Sequence, residues 1–178
     1  MRWLAAPIVI ALAGLTPLPG CGSPAGPAAP TAGVSPAHAL LEAAVDLDGV
    51  PVGPLPASGR ATVAVVFASW CPHCKDEMPV LAELARRQPG LRLLGLNFRG
   101  HEEYEQRGDA AAVRGFVAEV APWLRVVPVD GPLWAALGRP PKIPTIYVFD
   151  RSGRLVRVFD RRRDPIPTVT ALEEALPP

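Results

Sequence analysis

The chain has 178 residues, with 18 Lys and Arg against 17 Asp and Glu, and a formal net charge of +1. That length holds one domain with enough chain for a real core. A balance so close to neutral gives no reason to propose nucleic acid as a partner, and removing Arg2 with a leader brings it to zero.

Residues 1–20 read as a signal peptide. Arg2 supplies a minimal positive start, and Leu4 to Leu15 is apolar apart from Pro7 and Gly14. Such a run is too short to cross a bilayer but fits the apolar part of an export signal. Leu18-Pro19-Gly20-Cys21 resembles a lipobox, which would make Cys21 the lipidated first residue of the mature protein, although Pro19 stands where a small residue is usual. Ordinary cleavage after Ala37-His38-Ala39 and an uncleaved anchor are the other two readings. The count of three cysteines favours lipidation, because a modified Cys21 leaves a closed pair with no reactive thiol over. Residues 21–43 are rich in Pro, Ala and Gly and read as a flexible linker, leaving 44–178 as the folded domain.

Within the domain, Val45 to Val52 alternates around Asp48-Gly49 and predicts an edge hairpin. Thr62–Phe67 reads as a buried strand. The helix after it carries apolar Met78, Leu81, Leu84 and Ala85 at helical spacing, with Pro79 expected to kink it. Leu91–Phe98 is the next strand, His101–Gly108 a polar, acidic insertion, and Asp109 the N-cap of a helix over Ala110–Val120. A short strand over Val126–Val129 and a short helix over Leu133–Leu137 follow. Thr145–Asp150 and Arg154–Phe159 read as a hairpin turned by Arg151-Ser152-Gly153, and Thr168–Leu176 as the closing helix. Strands and helices alternating in this way give an α/β fold, a mixed sheet with helices on both faces.

The chemistry concentrates in Trp70-Cys71-Pro72-His73-Cys74, at the junction of the first buried strand and its helix. Two cysteines two residues apart in an α/β setting are a redox signature. Pro72 fits the first helical turn, where an N–H would have had no partner. It also biases Cys71 toward extended backbone, over the free N–H groups and the positive helix end that favour a thiolate. Cys74 lies one turn on, on the same face, within reach of a disulfide. A zinc site would need further ligands, and His38, His73 and His101 stand at no usual spacing. Lys75, not His, follows Cys74, so the local pattern is not that of an attached c-type haem.

With its tail Lys75-Asp76-Glu77-Met78-Pro79, this stretch resembles the active-site helix of the thioredoxin superfamily, most closely the membrane-tethered TlpA/ResA-like branch. The resemblance covers roughly Val45 to Leu176 and includes Lys142-Ile143-Pro144-Thr145. It implies a thioredoxin-like fold, catalytic Cys71 and Cys74, and a cis Pro144 packed against them. Trp70, Pro72, His73 and Ile143 would be supporting residues, with the Ile143 backbone open to an extended substrate. His73 is expected to stabilise the Cys71 thiolate, a choice also found in strong oxidases such as DsbA, whereas TlpA-like proteins are mostly reductants, so the direction stays open.

The superfamily's buried acid, six positions before the first cysteine, is replaced here by Val65. Glu102, Glu103 and Glu105 are candidates for a substitute from the insertion, with a solvated acidic loop as the equal alternative. The run of Arg151, Arg154, Arg157, Arg161, Arg162 and Arg163, interleaved with Asp150, Asp160 and Asp164, reads as a solvated hairpin face. The activity implied is thiol–disulfide exchange with exported proteins, apocytochromes or copper-site proteins among them. It needs no diffusible cofactor or metal, and a membrane redox partner would reset the pair. The location implied is the periplasmic side of a bacterial envelope, on a lipid anchor. The competing reading is a thiolate-based copper carrier or a non-catalytic binding module.

Overall fold

The computed structural model describes residues 33–56, 59–163 and 165–177. The expected signal peptide, Cys21 and the first part of the linker lie outside the described residues. Among those described, no helix is long and apolar enough to cross a membrane.

The centre of the molecule is β1 (Ala61–Phe67), seven residues buried along their whole length. A strand made of β-branched and small apolar residues suits a position with both faces covered. It pairs in parallel with β2 (Arg92–Phe98) and antiparallel with β4 (Thr145–Asp150). Outside these lie β3 (Arg125–Val129) and β5 (Leu155–Asp160), so the five-stranded sheet runs β3-β2-β1-β4-β5.

Alternation along β1 sorts the core into two layers. Val63, Val65 and Phe67 face α2 (Pro72–Arg87), α4 (Ala110–Val120) and α6 (Val169–Ala175). Ala64 and Val66 face α1 (Pro36–Ala43) and α5 (Gly131–Ala136). Each fully buried Val, Leu or Phe contributes about 1.5–3 kcal/mol through surface removed from water. The mixed α/β sandwich expected from the sequence is therefore present, with Asp109 capping α4 through Ala112 N at 2.8 Å. Gly153 turns the β4–β5 hairpin at φ +78°.

Two expectations are corrected. Residues 36–43 are not the end of a loose tether but helix α1, started by Pro36 in its first turn and anchored by buried Ala37, His38 and Leu41. Ser35 N donates to Gly153 O at 2.8 Å, and Arg92 Nη2 lies 3.0 Å from His38 Nε2, so the folded unit begins near Ser35 rather than at residue 44. The hairpin expected over Val45–Val52 is reduced to one bridge, Val45 to Pro51. The Asp46 side chain accepts from Asp48 N and Val50 N there, which closes a turn instead of extending a ladder. The acidic insertion folds as α3 (Arg99–Glu102) and a 3₁₀ turn over Tyr104–Gln106.

Candidate active site

Strand β1 ends at Phe67, and the chain turns through Ala68-Ser69-Trp70 to deliver Cys71 as the N-cap of α2. Extended backbone at Cys71 (φ −79°, ψ 115°) and Pro72 in the first turn match the sequence expectation. The Cys71 sulfur accepts from Cys74 N at 3.3 Å, so it occupies the place of a capping side chain over the free N–H groups. Both cysteines are reduced and buried, Cys74 completely.

The two sulfurs are driven apart electrostatically. The Cys74 thiol donates to Cys71, and this does most to bring the Cys71 thiol down to about 7. Burial opposes the shift, while the backbone N–H groups of Cys74 and His73 and the Arg161 guanidinium reinforce it. Cys74 moves the other way, far above the ordinary thiol range. Burial is the main cause, followed by its bond to Cys71 and the nearby negative charge of Cys71. One sulfur is thus a thiolate near neutrality and its companion a held proton donor.

Cys74, Glu77, Met78, Leu81 and Leu84 form the buried stripe of α2. Glu77 is 1 % exposed, and its Oε1 has no hydrogen-bond partner among the described residues. Burial pushes its carboxyl up to about 7, with Arg161 pulling down and Cys71 pushing up. It lines a narrow slot with Pro144, Ile146, Phe159 and Arg161. Sequence reasoning treated Glu77 as part of a motif tail and gave it no role. The signal was its place in the apolar stripe, three residues after Cys74.

Of the three glutamates in the insertion, only Glu102 is buried. It accepts from Ser69 N at 2.9 Å, from Asn97 Nδ2 at 2.8 Å and from the Ser69 hydroxyl. Glu103 and Glu105 are exposed and pair with Arg99 and Arg107. Glu102 therefore braces the loop leading to Cys71, while Glu77 is the buried carboxyl on the cysteine-bearing face of α2.

The other expected residues fall around this pair. Trp70 Nε1 donates to the carbonyls of His101 at 3.1 Å and Glu102 at 3.0 Å, tying the insertion to the motif, and Arg107 covers its ring. The His73 ring is exposed and 3.9 Å from Asp76, so what His73 supplies to the Cys71 sulfur is its backbone N–H. The Ile143–Pro144 bond is cis, and Ile143 packs at the edge of both core layers. Val65, where the resemblance led to the expectation of a buried acid, is wholly buried in the same layer as the cysteines. Among the described residues, no group of three or more His, Cys, Asp or Glu side chains is placed to hold a metal ion.

Comparison with known proteins bears on the fold. The fold superposes on a secreted Mycobacterium tuberculosis disulfide oxidoreductase homologous to E. coli DsbE, with a TM-score of 0.59 at 22% identity over 76% of this chain and 94% of that one. In sequence the chain is 26% identical over 98 residues to the soluble secreted antigen MPT53 of Mycobacterium tuberculosis, matching 54% of this chain and 52% of that protein. It is 27% identical over 127 residues to the thiol:disulfide interchange protein HelX of Rhodobacter capsulatus, 64% of each. The chain thus spans about half the length of the first of these relatives. No protein-family model matches it. The fold is thioredoxin-like, and its sequence relatives include thiol:disulfide interchange proteins.

Proposed function

We propose that the chain is an extracytoplasmic thiol–disulfide oxidoreductase working through Cys71 and Cys74. The observation that carries this reading is the opposite displacement of two buried, hydrogen-bonded thiols, one titrating at about 7 and the other far above it. Relatives named as secreted or as interchange proteins support it.

In the reductive direction the Cys71 thiolate attacks one sulfur of a substrate disulfide. A Cys71–substrate bond forms, the substrate S–S bond breaks, and one substrate thiolate departs. Cys74 then attacks the Cys71 sulfur, forming the Cys71–Cys74 disulfide and releasing the second substrate thiolate. Two electrons pass to the substrate, whose two released thiolates take up protons from solvent as their own pKa values dictate. Cys74 must give up its proton for the second step, and we assign its acceptance to Glu77, which lies three residues on in the same buried stripe of α2 and is ionised above about 7. The Ile143 backbone beside Pro144 offers an extended substrate a strand-like edge.

A thiolate titrating near 7 resembles the thioredoxin end of the known range more than the DsbA end near 3.5, which favours the reductase direction. Exported proteins with exposed disulfides are the substrate class. A membrane redox partner would return the pair to the dithiol, with lipidated Cys21 holding the domain at the surface. The test is catalysed reduction of a protein disulfide by the purified chain under a supplied dithiol, with the Cys71/Cys74 potential measured against glutathione. A potential near −270 mV supports a reductase, and one near −120 mV an oxidase. Absence of turnover, with Cu(I) retained through dialysis, would replace this reading with the carrier.

A further inference from the structure

Arg161 begins as one of six arginines on a face the sequence marks as solvated. Its neighbours fit that description: Arg154 pairs with Asp150 at 2.7 Å and Arg162 with Asp160 at 2.9 Å. Arg161 is placed differently. In the β4–β5 ladder Thr145 faces Asp160 and Ile146 faces Phe159, so the next position outward sets Pro144 beside Arg161. Paired residues share a face of the sheet. Thr145 and Asp160 line a cavity on the α1–α5 side, whereas Ile146 and Phe159 belong to the layer that holds Cys71 and Cys74. One residue beyond Asp160, Arg161 returns to the cysteine side and lines the slot with Glu77 and Pro144. Its backbone is fixed by the tight turn in which Arg163 N donates to Asp160 O at 2.7 Å and Arg162 N to Asp160 Oδ1 at 3.0 Å.

We propose that Arg161 is a positioning residue that tunes the redox potential of the Cys71/Cys74 couple from its seat beside Pro144 and Glu77. The inference rests on the thiol–disulfide reading and names the group that poises that same site. Among the described residues, the ionisable groups that share the buried face of α2 with the Cys71 sulfur are Cys74 and Glu77, and Glu102 of α3 holds Ser69, two positions before Cys71. His73 and Asp76 pair with each other on the exposed side. Among the described residues Arg161 is a cation that acts on both groups, and its guanidinium draws Cys71 and Glu77 toward their charged forms. Arg161 is half-buried, so its field is less screened than that of a surface arginine. A cation there stabilises the thiolate of the reduced pair and does nothing comparable for the neutral disulfide. Two-electron reduction of the Cys71–Cys74 bond is therefore favoured, and the potential rises.

The experiment compares the wild-type chain with Arg161→Gln and Arg161→Lys, following thiolate absorbance against pH and equilibrium with glutathione at pH 7. Arg161→Gln is expected to carry about twofold less Cys71 thiolate at pH 7, through a midpoint raised by about half a pH unit. Its equilibrium with glutathione at pH 7 should move about 1.5-fold toward the disulfide, approaching threefold above pH 8. Arg161→Lys, which keeps the charge, should hold both near wild type. A purely structural role would lower the melting temperature of Arg161→Gln and leave titration and potential where they were, and that result overturns the proposal. So does an Arg161→Lys variant that behaves like Arg161→Gln. Failure of the wild-type chain to exchange disulfides would remove the oxidoreductase reading, while the thiolate titration would still decide the role of Arg161.

Discussion

Replacing Glu77 with Gln should change how stability depends on pH before it changes anything else. The folded chain binds the Glu77 proton with a pKa of about 7, against 4.5 for a free carboxyl. Between those values the native state holds a proton that the unfolded state has released, so stability falls as pH rises. Each pH unit in that window costs about 1.4 kcal/mol, and the whole displacement costs about 3 kcal/mol once pH exceeds 7. Buried His38 and His101 have lowered pKa values and act in the opposite sense, adding stability as pH rises toward 6.5. Both occur in wild type and variant, so their contributions drop out of the difference. The assay is urea unfolding of fully reduced wild type and Glu77→Gln from pH 5 to pH 7. Any loss from the amide oxygen left without a partner in the slot adds a constant offset. The stability of Glu77→Gln relative to wild type should climb by about 2–3 kcal/mol across that range. A difference that stays flat would show that Glu77 ionises as an ordinary surface carboxylate, and the proton-acceptor role would fall with it.

Three further outcomes follow from particular contacts. Cys74→Ser should keep the attacking sulfur and lose the resolving one, so incubation with a protein disulfide should accumulate a covalent adduct that reductant releases, and Cys71→Ser should form none. Glu102→Gln disturbs the carboxylate's bonds to Ser69 and Asn97 and should lower the unfolding free energy by about 1–3 kcal/mol by urea denaturation, with the Cys71 titration little moved. Gly153→Ala puts a side chain at φ +78° and a Cβ 2.6 Å from His38 Nδ1, so α1 should undock, read as faster amide exchange over residues 36–43 at a cost of about 1–3 kcal/mol.

What the sequence showed best was what is decided locally. Cys71 as N-cap, Pro72 in the first turn and Asp109 capping α4 each follow from a few adjacent residues. The β4–β5 hairpin was legible because Gly153 stands where a left-handed turn is required. Helix α1 was hidden by its composition: Pro36 and the alanines look like linker until Leu41 and His38 find the sheet. Glu77 was hidden because a charged residue is expected to face water, and only the packed stripe of α2 reveals that it does not. Glu102 was visible as one of three acids, yet its separation from Glu103 and Glu105 depends on the left-handed backbone at Glu105 and Gln106 and on Ser69, 33 residues away in sequence. Arg161 was unreadable for the same reason, since its side of the sheet is set by the register of a hairpin.

The substitution of Val65 for a buried strand acid bears on the order of the two chemical steps. An acid on the central strand would share its layer with the cysteines; here that layer is apolar, and the carboxyl arrives from the helix instead. Glu77 is also held less charged by its burial and by Cys71, so it becomes a proton acceptor only near neutrality. Attack by Cys71 and resolution by Cys74 should then carry separate pH signatures. Rapid mixing of the reduced chain with a disulfide should give an adduct-forming rate that rises about tenfold per pH unit below 7 and levels above it, following the Cys71 thiolate. Decay of the adduct should rise through the same region for a different reason, the ionisation of Glu77. In Glu77→Gln the first phase should keep its profile, and the second should slow by about 10²-fold or more, a typical general-base contribution. An adduct that decays at the wild-type rate in Glu77→Gln would mean that Cys74 loses its proton to solvent or to the departing substrate thiolate, and that the buried carboxyl is not part of the resolving step.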